Sequence, residues 1–101
     1  MTKIFNFMGR VKWLAELQTI MGENKVTVML IPPNAGSFSK KVTFVDFFDV
    51  VAERLFQTCT KDCFLNVQGN CRVYGNRIRF IGSDFQKLEF DTELGRYVPI
   101  A

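Results

Sequence analysis

Between Asn66 and Phe80 the chain reads NVQGNCRVYGNRIRF, and its polar positions gather three arginines, a tyrosine and several amides. Gly75-Asn76 is a two-residue hairpin connection, with glycine supplying a positive φ. Folding about that turn sets Tyr74 opposite Arg77, Val73 opposite Ile78, Arg72 opposite Arg79 and Cys71 opposite Phe80. Side chains alternate across a strand. Asn66, Gln68, Asn70, Arg72, Tyr74, Arg77, Arg79 and Ile81 then share one face. Leu65, Val67, Gly69, Cys71, Val73, Ile78 and Phe80 share the other, which reads as core. Like charges directly opposite one another are destabilising, and no Asp or Glu occurs between Asn66 and Ile81. Guanidiniums, amides and a phenol without a local carboxylate suit phosphates and bases. A simply solvated arginine face is the alternative.

Other chemistries find little material. The chain has no histidine, which removes the usual general base and metal ligand. Cys59, Cys63 and Cys71 form no CxxC pair and lack a fourth zinc ligand, so free thiols are expected and no metal or cofactor. No Gly-rich phosphate loop, GxSxG or HExxH is present. A binding protein is expected rather than an enzyme. The net charge of +3 and pI of about 8.9 permit an anionic partner. The odd cysteine count and the absence of a signal-peptide pattern point to reduced thiols in the cytoplasm. No apolar run approaches the ~20 residues of a membrane helix.

The elements that must position these residues follow from periodicity. With 101 residues, 48% of them hydrophobic, the chain suits a single core. KIFNFMGRVKW (3–13) alternates as a strand, with Phe5, Phe7 and Val11 on one side and Asn6, Arg10 and Lys12 on the other. Gly9 marks a bulge or bend. Residues 14–21 read equally as a helical turn or a continued strand. VTVMLI (26–31) is a β-branched strand, and PPNAGSFS (32–39), carrying Phe38, is a loop. In KKVTFVDFF (40–48) one parity holds Val45 and Phe47, the other Phe44, Asp46 and Phe48. DVVAERLFQTCT (49–60) is helical, with Asp49 as N-cap and Val50, Val51, Leu55 and Cys59 inward. Phe5, Phe7, Phe47, Phe56 and Phe80 are expected in the core. Strand, strand, strand, helix, strand, strand is an all-β arrangement with one helix between the third and fourth strands, that of the five-stranded OB-fold barrel. Residues 1–90 form the barrel domain and 91–101 a short C-terminal extension.

Over about residues 2 to 90 the sequence resembles the bacterial and phage single-stranded DNA-binding protein family. KIFNFMGRV is similar to that family's first strand. KVTFVDFFDVVAERL is similar to its third strand and helix, with Ala52-Glu53 in the place of an Ala-Glu pair. CFLNVQGNCRVYGNRIRF and IGSDFQKLEF look like its fourth strand, hairpin and closing strand.

The resemblance implies sequence-tolerant binding of a single strand, DNA rather than RNA being the expected ligand, by base stacking and phosphate contacts. Phe48 falls where the family keeps a stacking phenylalanine. A second family aromatic falls on Val42, which cannot stack, and the hairpin tryptophan has no counterpart in the short Gly75-Asn76 turn. Phe44, Tyr74 and Trp13 are candidate substitutes. Arg10, Lys12, Lys40, Lys41, Arg72, Arg77 and Arg79 are the candidate phosphate contacts. The family's acidic tip is missing from DTELGRYVPIA, so a phage or mobile-element protein of replication or recombination, or an accessory factor resembling the family's primosomal relatives, is expected. The resemblance also implies a homo-oligomer and a possible replication partner. The rival expectation is an OB-fold adaptor that binds protein and little nucleic acid.

Overall fold

The computed structural model describes residues 2–15, 17–32 and 42–100. Its strands are β1 (Thr2–Leu14), β2 (Gln18–Ile20), β3 (Glu23–Ile31), β4 (Thr43–Phe48), β5 (Phe64–Tyr74), β6 (Arg77–Asp91) and β7 (Arg96–Pro99). The one helix described, α1 (Asp49–Thr58), lies between β4 and β5. The lateral order β1-β5-β6-β4-β3 closes on itself through a β1–β3 pairing, giving a ring of five strands with one parallel contact, β4 to β6. The short β2 and β7 are ribbons added to β3 and β6. This is the OB fold, with the helix between the third and fourth barrel strands.

Closure depends on β1 serving two neighbours. Its first part pairs with β5 from Thr2↔Arg72 to Arg10↔Phe64. Its end pairs with β3 from Arg10↔Ile31 to Leu14↔Val28. The register shift falls between Val11 and Trp13, not at Gly9 where the sequence places the irregularity. Gly9 serves close approach instead: a Cβ there would stand 3.0 Å from the Ile31 carbonyl oxygen and 3.1 Å from Leu30 Cβ. Residues 14–21, ambiguous in sequence, include β2 and contain no helix among those described.

The core is the barrel interior: Val11, Val26, Val28, Leu30, Val45, Phe47, Leu65, Val67 and Phe85, closed at one end by Ala52, Leu55 and Cys59. Phe5, Phe7 and Phe80 pack as a partly buried aromatic group at its edge, with centroids 5.2 to 6.0 Å apart. The helix phase differs from the expected one. Val50 is 74% exposed and Phe56 42% exposed, whereas Ala52 is buried. Asp49 is not the cap: β4 runs to Phe48, which occupies that position, and no side chain caps the end. The other end is satisfied by Lys87 Nζ, which donates to the Thr58 carbonyl at 2.8 Å.

The β5–β6 hairpin has the register read from sequence, including Arg72↔Arg79 and Tyr74↔Arg77. Gly75 has φ +58° and Asn76 is not among the positive-φ residues, the signature of a type II′ turn. The expected core face does not extend to the tip. Val73 and Ile78 are 41% and 58% exposed, because the ribbon runs past the barrel and no core residue among those described covers them. Beyond residue 90, β6 ends at Asp91 and the chain returns as β7, where Tyr97 packs on Phe64 and Phe90. Among the described residues no helix is long and apolar enough to cross a membrane.

Candidate nucleic-acid interface

The outward faces of β3 and β4 form the centre of the candidate site. Alternation sends Val45 and Phe47 inward, both fully buried, so Phe44, Asp46 and Phe48 point outward. Register brings Lys25 beside Phe48, Thr27 beside Asp46, and Met29 beside Phe44. On the far side of β3, Trp13 pairs with Met29. Trp13, Met29 and Phe44 thus make a row across three strands, with Trp13 50% and Phe44 48% exposed. An open apolar row of this kind presents ring faces on which bases can stack.

One strand step away the face is polar. Asp46, whose side chain is only 15% exposed, accepts a hydrogen bond from Thr27 Oγ1 at 2.6 Å on Oδ1. Its Oδ2 accepts from Arg79 Nε at 3.2 Å and lies 3.9 Å from Lys25 Nζ. The Arg79 guanidinium carbon also stands 5.7 Å from the centroid of the Phe48 ring. Phe48 is half-buried under this cation and borders an open depression of about 160 Å3 with Met21, Glu23, Lys25 and Arg79.

This arrangement corrects the sequence reading of the arginines. Arg79 does have an internal carboxylate, supplied from β4 by the parallel β4–β6 pairing that sets Asp46 against Ile81. Arg72 and Arg77 differ: both are exposed, and among the described residues neither has an ion-pair partner. Tyr74, 54% exposed, lies between them at the hairpin tip.

The remaining candidates fall in two groups. Arg10 and Lys12 line a separate cleft of about 220 Å3 with Ile31, Lys61 and Asp62, where Arg10 pairs with Asp62 at 3.7 Å. Lys40 and Lys41 lie outside the described residues, as does the expected Phe38 loop. Sequence reasoning missed Lys25, Thr27, Met29 and Lys61. Lys25, Thr27 and Met29 share one strand parity, which was the available signal.

Thiol chemistry does not belong to this face. Burial, reinforced by the neighbouring Cys63, pushes the Cys59 thiol up to about 11, so it stays protonated at neutral pH. Asp84 is held below the usual carboxylate range, first by the hydrogen bond from Arg54 and then by the Phe85 backbone N–H. No group of three or more Cys, Asp or Glu side chains among the described residues is arranged to hold a metal.

No protein-family model matches the chain, and no curated protein matches it. Solved structures do. The chain is similar to the SSB domain of a Synechococcus protein, with TM-score 0.61, 12% identity, and 83% of this chain and 91% of that one covered. It is similar to Rim1, a mitochondrial single-stranded DNA-binding protein of S. cerevisiae, with TM-score 0.61, 14% identity, and 88% and 96% covered. A chain of the S. pombe Stn1–Ten1 complex matches with TM-score 0.65 and 14% identity over 91% of this chain, which spans 62% of that one. The class is therefore the OB fold, with single-stranded DNA-binding proteins among its structural neighbours.

Proposed function

We propose that the protein binds single-stranded DNA, with little dependence on sequence. The observation that carries this reading is the exposed Trp13–Met29–Phe44 row beside Phe48, on the OB-fold face formed by the second and third barrel strands, here β3 and β4. Bases of any sequence have a face to stack, and a duplex hides those faces, so stacking selects single strands. The cations Arg72 and Arg77 on the adjoining ribbon, without an ion-pair partner among the described residues, are suited to phosphates, whose neutralisation releases counterions and makes affinity fall with salt. Lys12, Lys61 and Arg10 line a second cleft, together with Asp62, that offers further cationic groups. The role is binding without catalysis, with single strands in replication or recombination as the substrate.

Trp13 is the only tryptophan, which makes its fluorescence a direct probe. Titration with a single-stranded oligonucleotide is expected to quench Trp13 emission, and Phe44→Ala is expected to weaken binding by about 1–3 kcal/mol. Unchanged emission together with unchanged affinity in Phe44→Ala would remove the row from the site. The adaptor reading would then stand in its place.

A further inference from the structure

We propose that Asp46 is a built-in competitor for phosphate, which occupies Arg79 when no ligand is bound and thereby sets the affinity of the face; this rests on the single-strand binding reading above. Asp46 lies between Phe44 and Phe48 on the same face of β4, in the path a stacked strand would take. A carboxylate there repels a phosphodiester, and it contributes nothing to the barrel core, where β4 is represented by Val45 and Phe47.

The carboxylate is held on three sides: Thr27 Oγ1 at 2.6 Å, Arg79 Nε at 3.2 Å and Lys25 Nζ at 3.9 Å. Two of these partners are cations, so the acid offsets one of the two positive charges beside Phe48, where Glu23 lines the same depression. Arg79 needs such a partner in the free protein, because its cross-strand neighbour is Arg72. The Arg79 contact is a single hydrogen bond from Nε, and the Arg79 side chain is 44% exposed. A weak, solvent-screened pair of this kind exchanges readily. A phosphate offers the guanidinium a bidentate acceptor, and it can take Arg79 at the rim of the depression beside Phe48 while Asp46 retains Thr27 and Lys25.

The test compares wild type, Asp46→Asn, Arg79→Ala and the double variant by oligo-dT binding at several salt concentrations. Asp46→Asn keeps an acceptor for Thr27 and removes the charge. It is expected to bind roughly five-fold more tightly at low salt, because phosphate no longer displaces a carboxylate, with a salt slope steeper by up to about 0.7, because no carboxylate is freed to take up a cation on binding. In the Arg79→Ala background the same substitution is expected to gain about two-fold or less. Equal or weaker binding by Asp46→Asn would overturn the competitor role, as would tighter binding with an unchanged slope. If wild type itself does not bind oligo-dT, the binding reading falls first. A thermal melt shows that each variant is folded, and Asp46→Thr, a good strand former, carries the test if Asp46→Asn is not.

Discussion

Arg72 and Arg79 face each other across the hairpin, yet replacing them should have opposite effects on stability. Arg79 bonds Asp46 through Nε at 3.2 Å, and the acid is only 15% exposed. Arg72 is exposed and has no such partner among the described residues. Arg79→Ala is therefore expected to destabilise the fold by about 0.5–1 kcal/mol, the upper range for a partly screened pair. At this chain length that lowers the melting temperature by roughly 4–8 °C per kcal/mol. Arg72→Ala relieves the like-charge opposition and is expected to leave stability unchanged or raised by a few tenths of a kcal/mol. In binding, Arg72→Ala should make the salt slope shallower by about 0.7 and weaken all sequences alike. Thermal unfolding by circular dichroism and oligonucleotide titration across salt measure both effects. An Arg79→Ala protein more stable than wild type would refute the ion-pair reasoning, and an Arg72→Ala slope equal to wild type would refute a phosphate contact there.

Phe48→Ala is expected to weaken single-strand binding by about 1–3 kcal/mol while the protein still melts cooperatively, since the ring lies outside the core. Gly82→Ala is expected to destabilise by about 1–3 kcal/mol in a thermal or urea melt, because the added Cβ would run into the fully buried Phe47 ring. Under native conditions near neutral pH a maleimide should label the partly exposed Cys63 and Cys71 well before Cys59, which is 3% exposed. The Cys59 thiol rises from 9.0 to about 11 on folding, so its contribution to stability is full below pH 9 and is lost as pH rises through about 11; an alkaline melt series measures this. Light scattering is expected to give a mass above the 11.6 kDa of one chain, in keeping with exposed Ile4, Val50 and Met21; a monomer at tens of micromolar would count against self-association.

Local chemistry made the hairpin legible. Gly75 admits the positive φ, the flanking residues alternate, and the register follows by counting. The same counting separated Phe44 and Phe48 from Val45 and Phe47. What alternation cannot report is where the core stops, so Val73 and Ile78 read as buried although the ribbon has already left the barrel. The helix misassignment has a related cause. DVVAERLFQT offers apolar residues over a wide arc, and the barrel end chose Ala52 and Leu55 over Val50 and Phe56. The Arg79–Asp46 pair was out of reach for a different reason. The partners are 33 positions apart and meet only because β4 and β6 pair in parallel, a long-range contact that no local pattern encodes. The Trp13–Met29–Phe44 row likewise needs the β1–β3 pairing beyond the bulge.

The most direct measurement is fluorescence anisotropy of a labelled oligo-dT, set against a duplex of equal length, at low and moderate salt. Stacking on the β3–β4 face with phosphate contacts from the hairpin requires a strong rise for the single strand, a much weaker one for the duplex, and a marked loss of affinity with salt. Equal binding of both forms, or no binding of either at low salt, would contradict single-strand recognition by this face.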